Sequence, residues 1–108
     1  MSSFTDRKRG EEAKYAMDEA TEFKVMARRN KLLGLWLADQ MNVTGDDADA
    51  YAKTVVLADL EEPGDEDVFR KVWGDISSKG LDISEAILRE KMAALIPFAR
   101  DQIASEAE

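Results

Sequence analysis

Two pairs of a cationic and an aromatic side chain are spaced in this sequence so that each pair could bind a phosphorylated ligand. Arg29 and Trp36 are seven residues apart, and Arg70 and Trp73 are three apart, so each pair would share one face of a helix. A guanidinium group can bind a phosphate while a neighbouring ring stacks on a base. The alternative is that both tryptophans pack in a core while the arginines extend past them to water, and spacing alone favours this alternative.

The stretch KVMARRNKLLGLWLAD, residues 24–39, places three cations directly before seven uncharged residues. A secretory signal would lie at the extreme N-terminus, whereas 23 mostly polar residues precede this stretch. The uncharged run is also far shorter than the ~20 apolar residues that span a membrane. We therefore expect a soluble cytoplasmic protein with no membrane insertion. Two interpretations of this stretch remain: an anion-binding site, or a helix with one buried face and one cationic face.

The residues for metal binding or catalysis are sparse. The chain has no cysteine, which removes a thiol nucleophile and sulfur-ligated metal sites, and no histidine, which removes the commonest general acid/base and the commonest metal ligand. Asp47 and Asp49 suggest a calcium loop, but Tyr51 and Ala52 stand where that loop needs an acid and a glycine. No phosphate-binding loop or zinc-protease motif is present either. We predict that the protein is not an enzyme and requires no cofactor or metal.

Net charge restricts the partners that the chain can bind. The chain carries a formal net charge of -8, which argues against binding to nucleic acid or to anionic lipid. The charge is uneven, since residues 23–42 hold four cations and one anion while residues 43–69 hold one cation and nine anions. A basic helix beside an acidic segment is expected, with exposed ion pairs contributing roughly 0–1 kcal/mol each.

Hydrophobic spacing predicts helices throughout residues 23–108. Met26, Leu33 and Leu37 recur on one face, and Gly34 within the same helix indicates close packing by a neighbour. No segment alternates as a strand does. Because the predicted helices are joined by short connections, we predict an all-α, up-and-down four-helix bundle.

Caps and breakers predict where the helices begin and end. We expect Thr44 to cap the second helix, and Asp82 to cap the fourth with Glu85 in a capping box. Gly80 should end the third helix in a left-handed conformation, and Pro97 should bend or end the fourth. The predicted fourth helix runs to the C-terminus and carries the apolar residues Ile83, Ile87, Leu88, Met92, Leu95, Ile96, Ala99 and Ile103.

Residues 1–22 differ from the rest of the chain because charged side chains dominate them. Their larger apolar side chains are only Met1, Phe4, Tyr15 and Met17, too few to hold the segment against a bundle. An isolated helix of this length is marginal in water. We predict a flexible N-terminal arm that becomes ordered against a partner, with a plain frayed terminus as the alternative.

Three stretches together resemble one known family. TDRKRGEEAKYA (5–16), FKVMARRNKLLGLWLA (23–38) and AYAKTVVLADLEEPGDEDVFRKV (50–72) are similar to the zeta subunit of alpha-proteobacterial F-type ATP synthases. Two positions depart from the family pattern: Leu37 follows the tryptophan where a small residue is usual, and Leu60 replaces a phenylalanine. Both changes alter packing and leave the functional expectation in place.

The resemblance implies an inhibitor that binds the catalytic head of ATP synthase and blocks ATP hydrolysis. It implies that the N-terminal arm enters a catalytic subunit interface, that the bundle anchors it, and that the chain acts at the cytoplasmic face of the membrane-bound synthase. The chain is expected to be a monomer when free. The expected inhibitory contacts are Phe4, Arg7, Arg9, Glu12, Lys14 and Tyr15.

The same resemblance implies binding of ADP or ATP to the bundle, but the family motif does not identify the residues. From charge and aromatic placement we predict Arg28, Arg29, Lys31 and Trp36 as the nucleotide-binding residues. The alternative function is a small acidic helical adaptor that binds an unrelated protein through the same arm.

Overall fold

Four helices make up the chain in the computed structural model, which describes residues 2–61 and 65–107, with side chains for residues 20–59 and 65–106. Within these ranges no strand is present, and α1 contacts both α2 and α4, while α3 completes the ring between them. The predicted all-α four-helix bundle is confirmed. The helices are α1 (Ser2–Gln40), α2 (Gly45–Glu61), α3 (Asp65–Lys79) and α4 (Glu85–Ala107).

The first helix is longer than the periodicity predicted. We expected it to begin at Phe23, whereas α1 begins at Ser2 and passes through Gly10 without a break. The division into an arm of residues 1–22 and a bundle of residues 23–108 stays a prediction. The side chains of the six predicted inhibitory residues lie outside the described part of the chain.

One continuous apolar cluster lies between the four helices. It includes Leu33 and Leu37, as the helical period predicted, and it excludes Ile87, which is 47% exposed. Ile87 lies outside the cluster because α4 turns its Leu88 and Met92 side to the core. The buried members are Leu33, Leu37, Val55, Val68, Phe69, Val72, Ile76, Leu88 and Met92.

Two helices end with the same C-terminal motif. Gly80 adopts the predicted left-handed conformation (φ 63°), and Leu81 N donates to Ile76 O at 3.0 Å. At the end of α1, the non-glycine Asn42 has φ 61°, and Val43 N donates to Ala38 O at 2.8 Å. These bonds satisfy carbonyl groups that would otherwise lack a partner in the last turn.

The start of α4 differs from the prediction. Asp82 does not cap the helix; instead Ser84 Oγ accepts a hydrogen bond from Ile87 N at 3.1 Å. Leu81 and Ile83 pack against the core in the connection, which places the first helical turn two residues later than expected. Pro97 does not end α4, because the helix continues to Ala107.

Candidate functional site

The four predicted nucleotide-binding residues lie on different sides of α1. Arg28 and Lys31 line an open groove formed with α4 and α2, whereas Arg29 is fully buried among α1, α3 and α4. Trp36 packs against the core and does not line this groove. The structure therefore brings Arg28 and Lys31 together and separates them from Arg29 and Trp36.

The groove beside Arg28 has the size and lining of a small-molecule site. Its volume is about 700 Å³, which lies in the range of roughly 300–1,000 Å³ typical of ligand pockets. Phe23, 64% exposed, provides an aromatic face at its edge, and Glu106 is the one carboxylate among the described residues that line it. The lining residues are Thr21, Phe23, Lys24, Ala27, Arg28, Lys31, Val56, Arg100, Ile103, Ala104 and Glu106.

Arg28 is held by the last turns of α4. Its Nη1 donates to Gln102 Oε1 at 2.8 Å, and its Nη2 donates to Glu106 Oε1 at 2.7 Å. The hydrogen bond from Arg28, with a smaller coulombic contribution, holds the pKa of the Glu106 carboxyl below its ordinary value. The same bond raises the pKa of Arg28, so this side chain stays charged.

A second ion pair joins the same two helices in the opposite sense. The Arg100 guanidinium on α4 binds the Glu22 carboxylate on α1. This hydrogen bond holds the pKa of Glu22 below its ordinary value, although partial desolvation opposes the effect. Both pairs bridge residues 78 positions apart in the chain, so they fix the middle of α1 against the end of α4.

The buried Arg29 acts as a link between three helices. Its Nε donates to Asn30 Oδ1 at 2.8 Å, its Nη1 to Met92 O at 3.1 Å, and its Nη2 to Asp65 Oδ1 at 2.6 Å. The side chain has no exposed surface. A guanidinium group whose three nitrogens are all engaged inside the bundle stabilises the fold and presents no face to a ligand.

Trp36 and Trp73 do not pair with the arginines that spacing suggested. Trp36 contacts Lys91, whose Nζ lies 5.5 Å from the ring centroid. Trp73 stacks on Phe69 with 6.1 Å between ring centroids, and Arg70 binds Asp67 instead. Both tryptophans pack against the core, as the alternative interpretation stated.

Sequence reasoning missed half of the cationic lining of the groove. Lys24 could have been found, because Lys24, Arg28 and Lys31 recur at four- and three-residue steps on one face of α1. Arg100 gave no local signal, since only the packing of α4 on α1 brings it to the groove. Among the described residues, no cluster of carboxylates is arranged to hold a metal ion.

The described helices would have to be both long and apolar to form a membrane-spanning segment. Within the described ranges, none of them combines the length and apolar content that a bilayer span requires.

Comparison with known proteins identifies the family. The sequence profile described as "ATPase inhibitor subunit zeta" matches residues 1–102. A protein chain solved by solution NMR shares 49% sequence identity and superposes with a TM-score of 0.70, covering 79% of this chain and 96% of that one. No curated protein sequence matches the chain. Because the profile extends over nearly the whole sequence, the chain belongs to the ATPase inhibitor subunit zeta family, whose members are regulatory inhibitors of ATP synthase and not enzymes.

Proposed function

We propose that this protein blocks ATP hydrolysis by inserting residues 1–22 into the catalytic head of an F-type ATP synthase, with residues 23–108 as the anchor. The observation that carries the proposal is the family match over residues 1–102, which includes the arm together with the bundle. Binding there would hold the chain at the cytoplasmic face of the membrane that carries the synthase.

The packing of α1 supports a separation between anchor and arm. The contact between Glu22 and Arg100 lies at the predicted boundary, and from Val25 onward α1 contributes fully buried side chains such as Leu33 and Leu37. Because this part of α1 is fixed in the bundle, docking of the bundle on the catalytic head would place the attached arm at a high effective concentration near its binding site. Ordering the arm costs free energy, which keeps inhibition reversible.

The groove supports the second part of the proposal, a response to ADP or ATP. We propose that Arg28 and Lys31 bind the phosphates together with Lys24 and Arg100, and that Phe23 offers a surface for the base. Arg29 and Trp36 leave the proposed set, since the first is buried in a structural ion pair and the second packs against the core.

An ATP hydrolysis assay on purified synthase heads tests the inhibitory role. The full-length chain should inhibit, and a chain lacking residues 1–19 should not, while its circular dichroism shows that the bundle remains folded. Replacing Arg7 and Arg9 together by glutamine provides a full-length comparison that weakens the arm alone. Equal inhibition by all three chains would place the inhibitory contact on the bundle. Absence of inhibition by the full-length chain would favour the adaptor alternative.

A further inference from the structure

We propose that the end of α4 competes with ligands for the groove. In the free protein the Arg28 guanidinium donates hydrogen bonds to Glu106 and Gln102, and a ligand bearing phosphate must displace these two side chains to bind Arg28. The proposal rests on the nucleotide response proposed above and assigns the regulation of that site to residues outside the predicted set. Its basis is the bonding of one side chain, Arg28, which faces the groove yet already has two acceptors.

The pairing of Arg28 imitates the binding of a phosphate. A carboxylate oxygen and an amide oxygen, at 2.7 and 2.8 Å, take two donors of the guanidinium fork that would otherwise bind phosphate oxygens. The side chains of Arg28 and Glu106 are 24% and 55% exposed, so water and solutes reach the pair. An exposed carboxylate with a single negative charge binds the guanidinium weakly, so a ligand with two or three negative charges can replace it.

Two further cations allow a ligand to bind before the pair opens. Lys24 and Lys31 line the same groove, and neither forms an ion pair with any residue whose side chain is described. The charge of Lys31 acts on Glu106 only at longer range, where it makes a minor contribution to the lowered pKa of that carboxyl. A phosphate group can therefore enter on these two ammonium groups first. Displacement of Glu106 then adds Arg28 to the site.

Displacement would loosen the hold of α4 on α1 at two points. Arg100, which binds Glu22, lines the same groove and is also attractive to a phosphate. The segment between Glu22 and Arg28 is the part of α1 that joins the bundle to residues 1–21. A ligand that binds better when these two ion pairs are broken therefore shifts the protein toward a state in which α4 makes fewer contacts with α1 near Glu22, where the arm begins.

Isothermal titration of the full-length chain with ADP, and separately with pyrophosphate, tests the competition. Glu106→Gln removes the internal carboxylate, and Glu90→Gln, on the exposed side of the same helix about 24 Å away, removes an equal charge as the matched control. We expect Glu106→Gln to bind both ligands about three- to five-fold more tightly than Glu90→Gln, since an exposed ion pair has this modest strength. Tighter binding of ADP alone would mean that the base, and not only phosphate, completes the displacement.

Three results would overturn or separate the proposals. If the wild-type chain binds ADP but Glu106→Gln binds no more tightly than Glu90→Gln, the competition is refuted while the nucleotide response stands. If none of the chains binds either ligand, both are refuted, and inhibition of hydrolysis remains as an independent result. In the wild-type chain, saturating ADP should also speed hydrogen exchange at the amides of residues 102–106, and unchanged exchange would refute displacement directly.

Discussion

The Cα atom of Ala52 on α2 lies only 2.5 Å from the place that a Cβ atom on Gly34 of α1 would occupy. This distance is far below van der Waals contact, and the obstructing atom belongs to the backbone. The two helices therefore meet closely at this point because α1 has no side chain there. The glycine that spacing singled out as a packing position is confirmed in this role.

Gly34→Ala should lower the free energy of unfolding by about 1–3 kcal/mol, because α2 must move away and the cost of overpacking exceeds the helix propensity gained. Gly74→Ala in α3 is the control, since nothing lies within 4 Å of its added methyl group. That control should raise stability by up to about 1 kcal/mol. Urea unfolding followed by circular dichroism measures both, and an unchanged or stabilised Gly34→Ala would contradict the close contact.

Arg28 and Arg29 should respond to alanine substitution in opposite ways. Arg29→Ala removes two buried hydrogen bonds and one partly buried one and leaves a void, so it should cost about 2–4 kcal/mol of stability. Arg28→Ala should leave the unfolding midpoint nearly unchanged and should weaken ADP binding at least several-fold. Unfolding curves and calorimetric titration of both variants decide the matter. A stable Arg29→Ala that loses ADP binding would restore Arg29 to the ligand site.

The two ion pairs between α1 and α4 should weaken in acid. Hydrogen bonds from Arg100 and Arg28 lower the pKa values of Glu22 and Glu106 from 4.5, so both carboxylates stay ionised to lower pH in the folded than in the unfolded state. Their stabilisation is complete above pH 4.5 and is lost as the pH falls through the folded-state values.

Carboxyl-selective NMR titration of the wild-type chain should show these two low values, and Glu106→Gln should remove one of them. Added salt should move the remaining value upward, because both pairs are exposed and screened. A Glu106 that titrates at or above 4.5 would show that its pairing with Arg28 does not persist in solution.

Asn42→Gly should stabilise the protein. Asn42 lies in the turn after α1 with φ 61°, a conformation that costs a residue with a side chain more than it costs glycine, so a gain of up to about 1 kcal/mol is expected. Gly80→Ala at the equivalent position of α3 is the reciprocal change and should destabilise by about 1 kcal/mol. Thermal unfolding compares the pair, and a shift of the same sign in both variants would contradict the argument.

Tyr51→Phe should remove a polar link between α2 and α3. The Tyr51 hydroxyl donates to Asp75 Oδ2 at 2.6 Å, and Lys71 donates to the same oxygen at 2.8 Å. Losing one such bond should cost about 0.5–1.5 kcal/mol in urea unfolding. Burial, helped by the neighbouring carboxylate, raises the pKa of Tyr51 above 10.0, so its contribution is present below pH 10 and lost at more alkaline pH. A phenol that ionises normally in a spectrophotometric titration would contradict the buried bond.

Local features of the sequence were sufficient to predict that there are four helices and to predict much of the core, but not where α1 begins. The period of Leu33 and Leu37 and the glycine at position 80 each act over a few residues, and the structure agrees with them. The start of α4 could not be obtained in this way. Asp82 and Ser84 are both good caps, and the packing of Leu81 and Ile83 selected the second.

The sequence by itself determined that α1 carries a dense group of cations and that the chain resembles an ATPase inhibitor. Only the tertiary structure decided which cations face solvent. Arg28 and Arg29 are about 100° apart around the helix axis, so one faces the groove and the other is buried once α3 and α4 are in place. The ion-pair partners of Arg28, Arg29 and Glu22 are distant from them in sequence; they are Glu106, Asp65 and Arg100. No local pattern can encode a contact that depends on how whole helices pack.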